Sequence, residues 1–128
     1  MVLVLACMMV QALWVDTVGA ATVTVTTTAE LTNAISNAAA GDVIQLQGGT
    51  TFAYSGVTRI TCDADGTAAN PITVQGLSGS KLTWSHTSNY IEGFVVEGKH
   101  WHFRDLDIQG LCPSANHRYC EHAFHVVK

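Results

Sequence analysis

Charge is scarce in this sequence. Asp, Glu, Lys and Arg make up 12% of its 128 residues, and the formal net charge is -4. The six Lys and Arg residues form no run or stripe, which argues against nucleic acid as a partner. A groove can still be locally basic, so an acidic polysaccharide stays within reach. A membrane-spanning run is also missing. Met1 to Val15 is almost wholly apolar, but Asp16 interrupts it short of the ~20 residues a spanning helix needs. No Lys or Arg precedes that run.

The apolar start is followed by Val18-Gly19-Ala20, small residues where a signal peptidase reads. The expectation is a signal peptide over residues 1–20, cleaved after Ala20 or Ala21, and a single domain over 21–128. The location is then secreted, periplasmic or at the cell surface. Cleavage removes Cys7 and leaves Cys62, Cys112 and Cys120 in a compartment where disulfides persist. Cys112 and Cys120 bracket a polar loop and can close it. Cys62 with Cys112 is the other pairing, and spacing does not choose between them.

What the sequence does have is a repeated phrase. Ile44-Gln45-Leu46-Gln47-Gly48, Ile72-Thr73-Val74-Gln75-Gly76, Phe94-Val95-Val96-Glu97-Gly98 and Leu106-Asp107-Ile108-Gln109-Gly110 share one pattern. Phe124 opens a fifth copy. Each copy alternates inward and outward positions with the period of a strand, and the four full copies read as ending at a Gly that accepts positive φ. Asp63-Ala64-Asp65-Gly66 reads as a turn of the same kind. The spacing from 72 to 94 suits one full coil, and that from 94 to 106 two faces of one coil, with Lys81–Trp84 on another face. The expected fold is a β-solenoid whose rungs bury their apolar faces by stacking. An ordinary β-sandwich is the alternative. The predicted core is Ile44, Leu46, Ile72, Val74, Phe94, Val96, Leu106 and Ile108.

Before the first copy, Ala21–Thr28 reads as a strand. Thr27 and Glu30 have the spacing of a capping box, so a helix is expected over Ala29–Ala39, ended by Gly41. Such a helix can cover the end of a solenoid.

The stretch VTTTAELTNAISNAAAGDVIQLQGGTTF, together with GTAANPITVQG, resembles the N-terminal cap and first rungs of right-handed parallel β-helix proteins of the pectate-lyase-like superfamily. The nearest patterns are polysaccharide lyases of the chondroitinase B and alginate lyase type, and secreted bacterial β-helix proteins. The resemblance covers about Ala21 to Lys128. It implies an all-β parallel β-helix with an N-terminal capping helix, of which this chain is the N-terminal part, with further rungs beyond Lys128. It also implies action on a polysaccharide, most like a uronate lyase or epimerase. A non-catalytic surface or carbohydrate-binding protein is the alternative.

Relatives of this kind remove a proton beside a carboxylate. They need a base, a cation to neutralise the carboxylate, and in many cases Ca²⁺ held by Asp or Glu. Their catalytic Lys and Arg match no position here. The candidates are His122, His125 and Arg104 for catalysis, and Asp105 and Asp107 for Ca²⁺, the last two expected on one outward face. Cys112, Cys120, His122 and His125 are zinc ligands in type but irregular in spacing. Trp101 and Tyr90 stack on sugars if exposed and pack in the core if not. His100 and His102 flank Trp101 on the opposite pleat. The crowding of these groups, with Lys128, near the end of the chain predicts no turnover by the chain alone.

Overall fold

Thr27 starts the helix because its side chain can do for the backbone what a preceding turn cannot. Its hydroxyl accepts from the Glu30 amide at 3.1 Å, and the Glu30 carboxylate accepts from the Thr27 and Thr26 amides at 3.3 and 2.7 Å. These bonds hold the Glu30 carboxyl below its ordinary range, the Thr26 amide contributing most. The computed structural model describes residues 19–55, 59–85, 92–111 and 122–127. In it α1 runs Thr28–Ser36, shorter than expected. Asn37, not Gly41, caps it, turning its own amide back to Asn33 and Ile35. Gly41 instead serves the following turn at φ 94°. There Asp42 accepts from the Ala39 and Ala21 amides, both at 2.8 Å, and so ties the helix exit to the first strand.

The rest is mostly strand. The strands are β1 (Thr22–Val25), β2 (Val43–Leu46), β3 (Thr51–Ser55), β4 (Ile60–Cys62), β5 (Ile72–Gly76), β6 (Lys81–Ser85), β7 (Phe94–Val96), β8 (Trp101–Arg104), β9 (Asp107–Leu111) and β10 (Phe124–Val126). They form three sheets, ordered β1-β2-β5-β8, β3-β6-β9 and β4-β7-β10. Every pairing is parallel. From β2 onward the chain visits the three sheets in rotation, so each circuit adds one strand to each.

Register corrects the expected period. Ile44 pairs with Val74 and Val74 with Phe103, separations of 30 and 29 residues. The copies at 72 and 94, taken as one coil apart, lie on different sheets of the same circuit. The phrase marks strands wherever they fall, while the period is set by the corners between them.

The glycines need a second correction. Gly48, Gly66, Gly76 and Gly98 are not among the positive-φ residues. They are small because another backbone lies against them. A Cβ at Gly98 would stand 2.0 Å from the Ala64 carbonyl oxygen, and one at Gly76 2.2 Å from that of Asp105. Among the described residues, left-handed backbone belongs to Gly41, Gly49, Gly79, His100 and Asp105.

One core fills the inside. Ile44, Leu46, Val74, Phe94 and Val96 are buried in it as expected, and Ile72 is buried beside it. Leu106 and Ile108 are only half-buried, because β8 and β9 are edge strands of their sheets. Thr73 and Val95 are also buried, although neither belongs to the core cluster. Aromatic rings run through the core from circuit to circuit. Tyr54 stacks on Trp84 at 5.1 Å, Trp84 meets Phe94 at 5.8 Å, and Phe94 stacks on Phe124 at 5.2 Å.

The helix closes the first circuit. Leu31 and Ile35 are 0% exposed, and the Tyr54 hydroxyl, whose pKa burial raises, donates to the Thr28 carbonyl at 3.2 Å. Leu31→Asp is expected to cost roughly 2–4 kcal/mol in a denaturant titration, from lost apolar burial and a desolvated charge. A loss below about half a kcal/mol would show that the helix does not protect the core.

Candidate functional site

Register stacks outward side chains of successive circuits into rows. On the β4-β7-β10 sheet Thr61, Val95 and His125 occupy one row. Beside it stand Arg59, just before β4, and Glu92, shortly before β7. His125 Nδ1 lies 2.5 Å from Glu92 Oε1, and Arg59 Nη1 lies 3.4 Å from Glu92 Oε2. A carboxylate only accepts, so Nδ1 is the protonated nitrogen, and in the neutral ring Nε2 is the one that holds the lone pair. Glu92 is largely covered at 21% side-chain exposure, whereas His125 and Arg59 are open to solvent at 48% and 57%. The result is an imidazole oriented by a carboxylate that an Arg anchors in turn, one residue from each circuit.

A second row crosses the first sheet, from Thr24 through Gln45 and Gln75 to Arg104. Its side chains touch only at 3.4–3.5 Å: Thr24 to Gln45, Arg104 to Gln75, and Gln75 to Asp105. Arg104 is exposed there and lies on a different sheet from His125, so these two candidates do not share one centre.

Asp105 and Asp107 do not alternate along one strand as expected. Asp105 turns the corner between β8 and β9 at φ 53°, and Asp107 begins β9. Both line an open groove of about 480 Å³ with Gln75 and Ser78. Asp107 is 3.9 Å from Lys81, and Asp105 accepts from Gln75. Ca²⁺ takes six to eight oxygens. Among the described residues no three His, Cys, Asp or Glu side chains gather in a way that could hold a metal. The pair has no third such side chain beside it among the described residues, and no step is routed through it.

Ser80, in the same corner, has a buried hydroxyl with no hydrogen-bond partner among the described residues. Ser80→Ala should leave stability unchanged or raise it by up to about 1 kcal/mol, because an unmet buried hydroxyl is a cost. A comparable loss in thermal unfolding would reveal a partner for it.

The remaining candidates are more scattered. His122 is exposed and donates nothing from its ring, while its carbonyl accepts from the Gly93 amide at 3.1 Å. His102 is exposed on β8, whereas His100 sits in the corner before the strand at φ 56°. Trp101 is half-buried, and its indole N–H donates to the Ala64 carbonyl at 2.8 Å, which ties it to the neighbouring circuit. Asp65 accepts from the Lys99 amide at 2.9 Å, a bond to a residue 34 positions on, and not one within the expected turn. Cys62 is a free, buried thiol, and burial first and Asp63 second push its pKa up to about 12, so it is inert at neutral pH. Cys112, Cys120, Tyr90, Lys128 and residues 1–18 lie outside the described residues. Among the described residues no helix is long and apolar enough to cross a membrane.

Sequence reasoning singled out His125 but missed Glu92 and Arg59. Both lie far upstream, and only the register of the third sheet brings them to His125. A search for charged residues just before each apolar strand phrase would have found them.

Compared with protein-family models, curated proteins and solved structures, the chain matches none.

Proposed function

We propose that this chain is the N-terminal part of a secreted right-handed parallel β-helix protein that acts on a uronate-containing polysaccharide, most like the lyases and epimerases of that fold. The fold reading is supported by three parallel sheets that share strands in rotation and by one capping helix. The observation that carries the function is the His125–Glu92 pair on the outer face of the third sheet, with Arg59 beside it.

The pair leaves Nε2 of His125 as a proton acceptor that faces solvent. A sugar ring laid over this sheet would give its C5 proton to that nitrogen. The electron pair of the C5–H bond would form the C4–C5 double bond, the C4–O bond would break, and the leaving oxygen would take a proton from solvent. Return of the proton to the other ring face would give the epimer instead. Arg59 spends one nitrogen on Glu92, and its other donors can meet the uronate carboxylate.

The test incubates the chain with alginate, chondroitin and pectate. At least one acidic polymer should bind and perturb the His125 ring resonances. His125→Ala should weaken that binding roughly tenfold, the size of one lost charge-assisted hydrogen bond. Unsaturated product, followed by its absorbance and absent in His125→Ala, marks a lyase. Binding without product is the result expected of an N-terminal part alone and is shared with the non-catalytic carbohydrate-binding alternative. If no polymer binds, the reading is wrong.

A further inference from the structure

We propose that Arg59 is a positioning residue that acts on His125 through Glu92, so that a residue of the first circuit sets the protonation pattern of the third. The inference rests on the reading of His125 as the proton acceptor. A glutamate with both oxygens free samples many rotamers and presents either oxygen to a neighbour. Arg59 Nη1 fixes Oε2 of Glu92 at 3.4 Å, which leaves Oε1 turned to His125 Nδ1 at 2.5 Å. His125 lies on β10, while Arg59 and Glu92 stand just before β4 and β7, so the parallel pairing of these three strands brings the groups to one end of the sheet.

A held carboxylate beside Nδ1 keeps the imidazole proton on that nitrogen, and the outward Nε2 stays unprotonated. Without the clamp Glu92 swings, and the proton of neutral His125 spreads over both nitrogens. The fraction with a usable Nε2 lone pair then falls. Arg59 touches neither His125 nor, in this role, the substrate. Its influence is purely on the geometry of Glu92.

The experiment needs no substrate. In ¹⁵N-labelled full chain at about pH 8.5, roughly two units above the ordinary imidazole value, the His125 ring nitrogens are read by NMR. The native chain should show a single tautomer with the proton on Nδ1. Arg59→Gln and Glu92→Gln should each give averaged nitrogen shifts, and Arg59→Lys should restore most of the single-tautomer signature. Matching near-ultraviolet circular dichroism would confirm that the substitutions leave the fold intact. A native-like single tautomer in Arg59→Gln overturns the proposal. So does a mixed tautomer in the native chain, or a failure of Arg59→Lys to restore the signature. Loss of polysaccharide binding would bear on the functional reading alone and leave this result standing.

Discussion

Gly98→Ala is expected to cost about 3 kcal/mol or more, read as a fall in the denaturant midpoint at unchanged slope. The reason is not the conformational freedom of glycine. A methyl group at Gly98 would enter the Ala64 carbonyl, at 2.0 Å from its oxygen and 2.7 Å from its carbon. Both atoms belong to the backbone of the preceding circuit, so no rotamer change can relieve the clash. The circuits themselves would have to separate, and the amides of Glu97 and Gly98, which both donate to the Cys62 carbonyl at 3.0 and 2.9 Å, would separate with them. Gly110 closes the same sequence phrase but would meet nothing within 4 Å. Gly110→Ala should therefore change stability by no more than about half a kcal/mol. Equal losses at the two positions would defeat the explanation by close approach.

Phe94→Ala should cost about 3–5 kcal/mol in the same titration. Phe94 is 0% exposed and is the hub of the aromatic row, with Trp84 at 5.8 Å, Phe103 at 5.1 Å and Phe124 at 5.2 Å. Its removal leaves a cavity between rigid backbones that cannot close around it. Phe124 sits in register on the next strand and is 37% exposed, so Phe124→Ala should cost clearly less. The reverse order would mean that Phe124 is covered in solution and Phe94 is not the centre of the core.

The strands were legible because each phrase encodes its own pleat: inward Ile44 and Leu46 around outward Gln45 need no knowledge of their neighbours. The capping box at Thr27 and Glu30 was legible for the same reason. The period was not, since it depends on the corners between strands, such as the two residues 105–106 between β8 and β9. The phrase glycines announced a constraint without its cause, because positive φ and backbone contact both select glycine. Asp105 broke the expected alternation by taking the corner itself. For the site, His125 was visible as an imidazole near the end of the chain. Its partners were invisible because the contact is a fact of register: Glu92 is 33 residues away, and Arg59 another 33.

The rotation of the chain through three sheets also shapes how it must fold. Every ladder joins strands 21 to 34 residues apart, from Thr22 with Val43 to Ile60 with Phe94. Among the described residues no hairpin offers a cheap local start, so the first circuit must close a long loop before any ladder bond rewards it. The helix, held by its own capping box and resting on β1 to β4, supplies a surface that can form locally and then receive strands. Once one circuit lies against it, each later circuit closes a loop of similar length onto a finished template. Assembly then proceeds like growth from a seed, in one direction, away from Leu31 and Ile35 and toward β10.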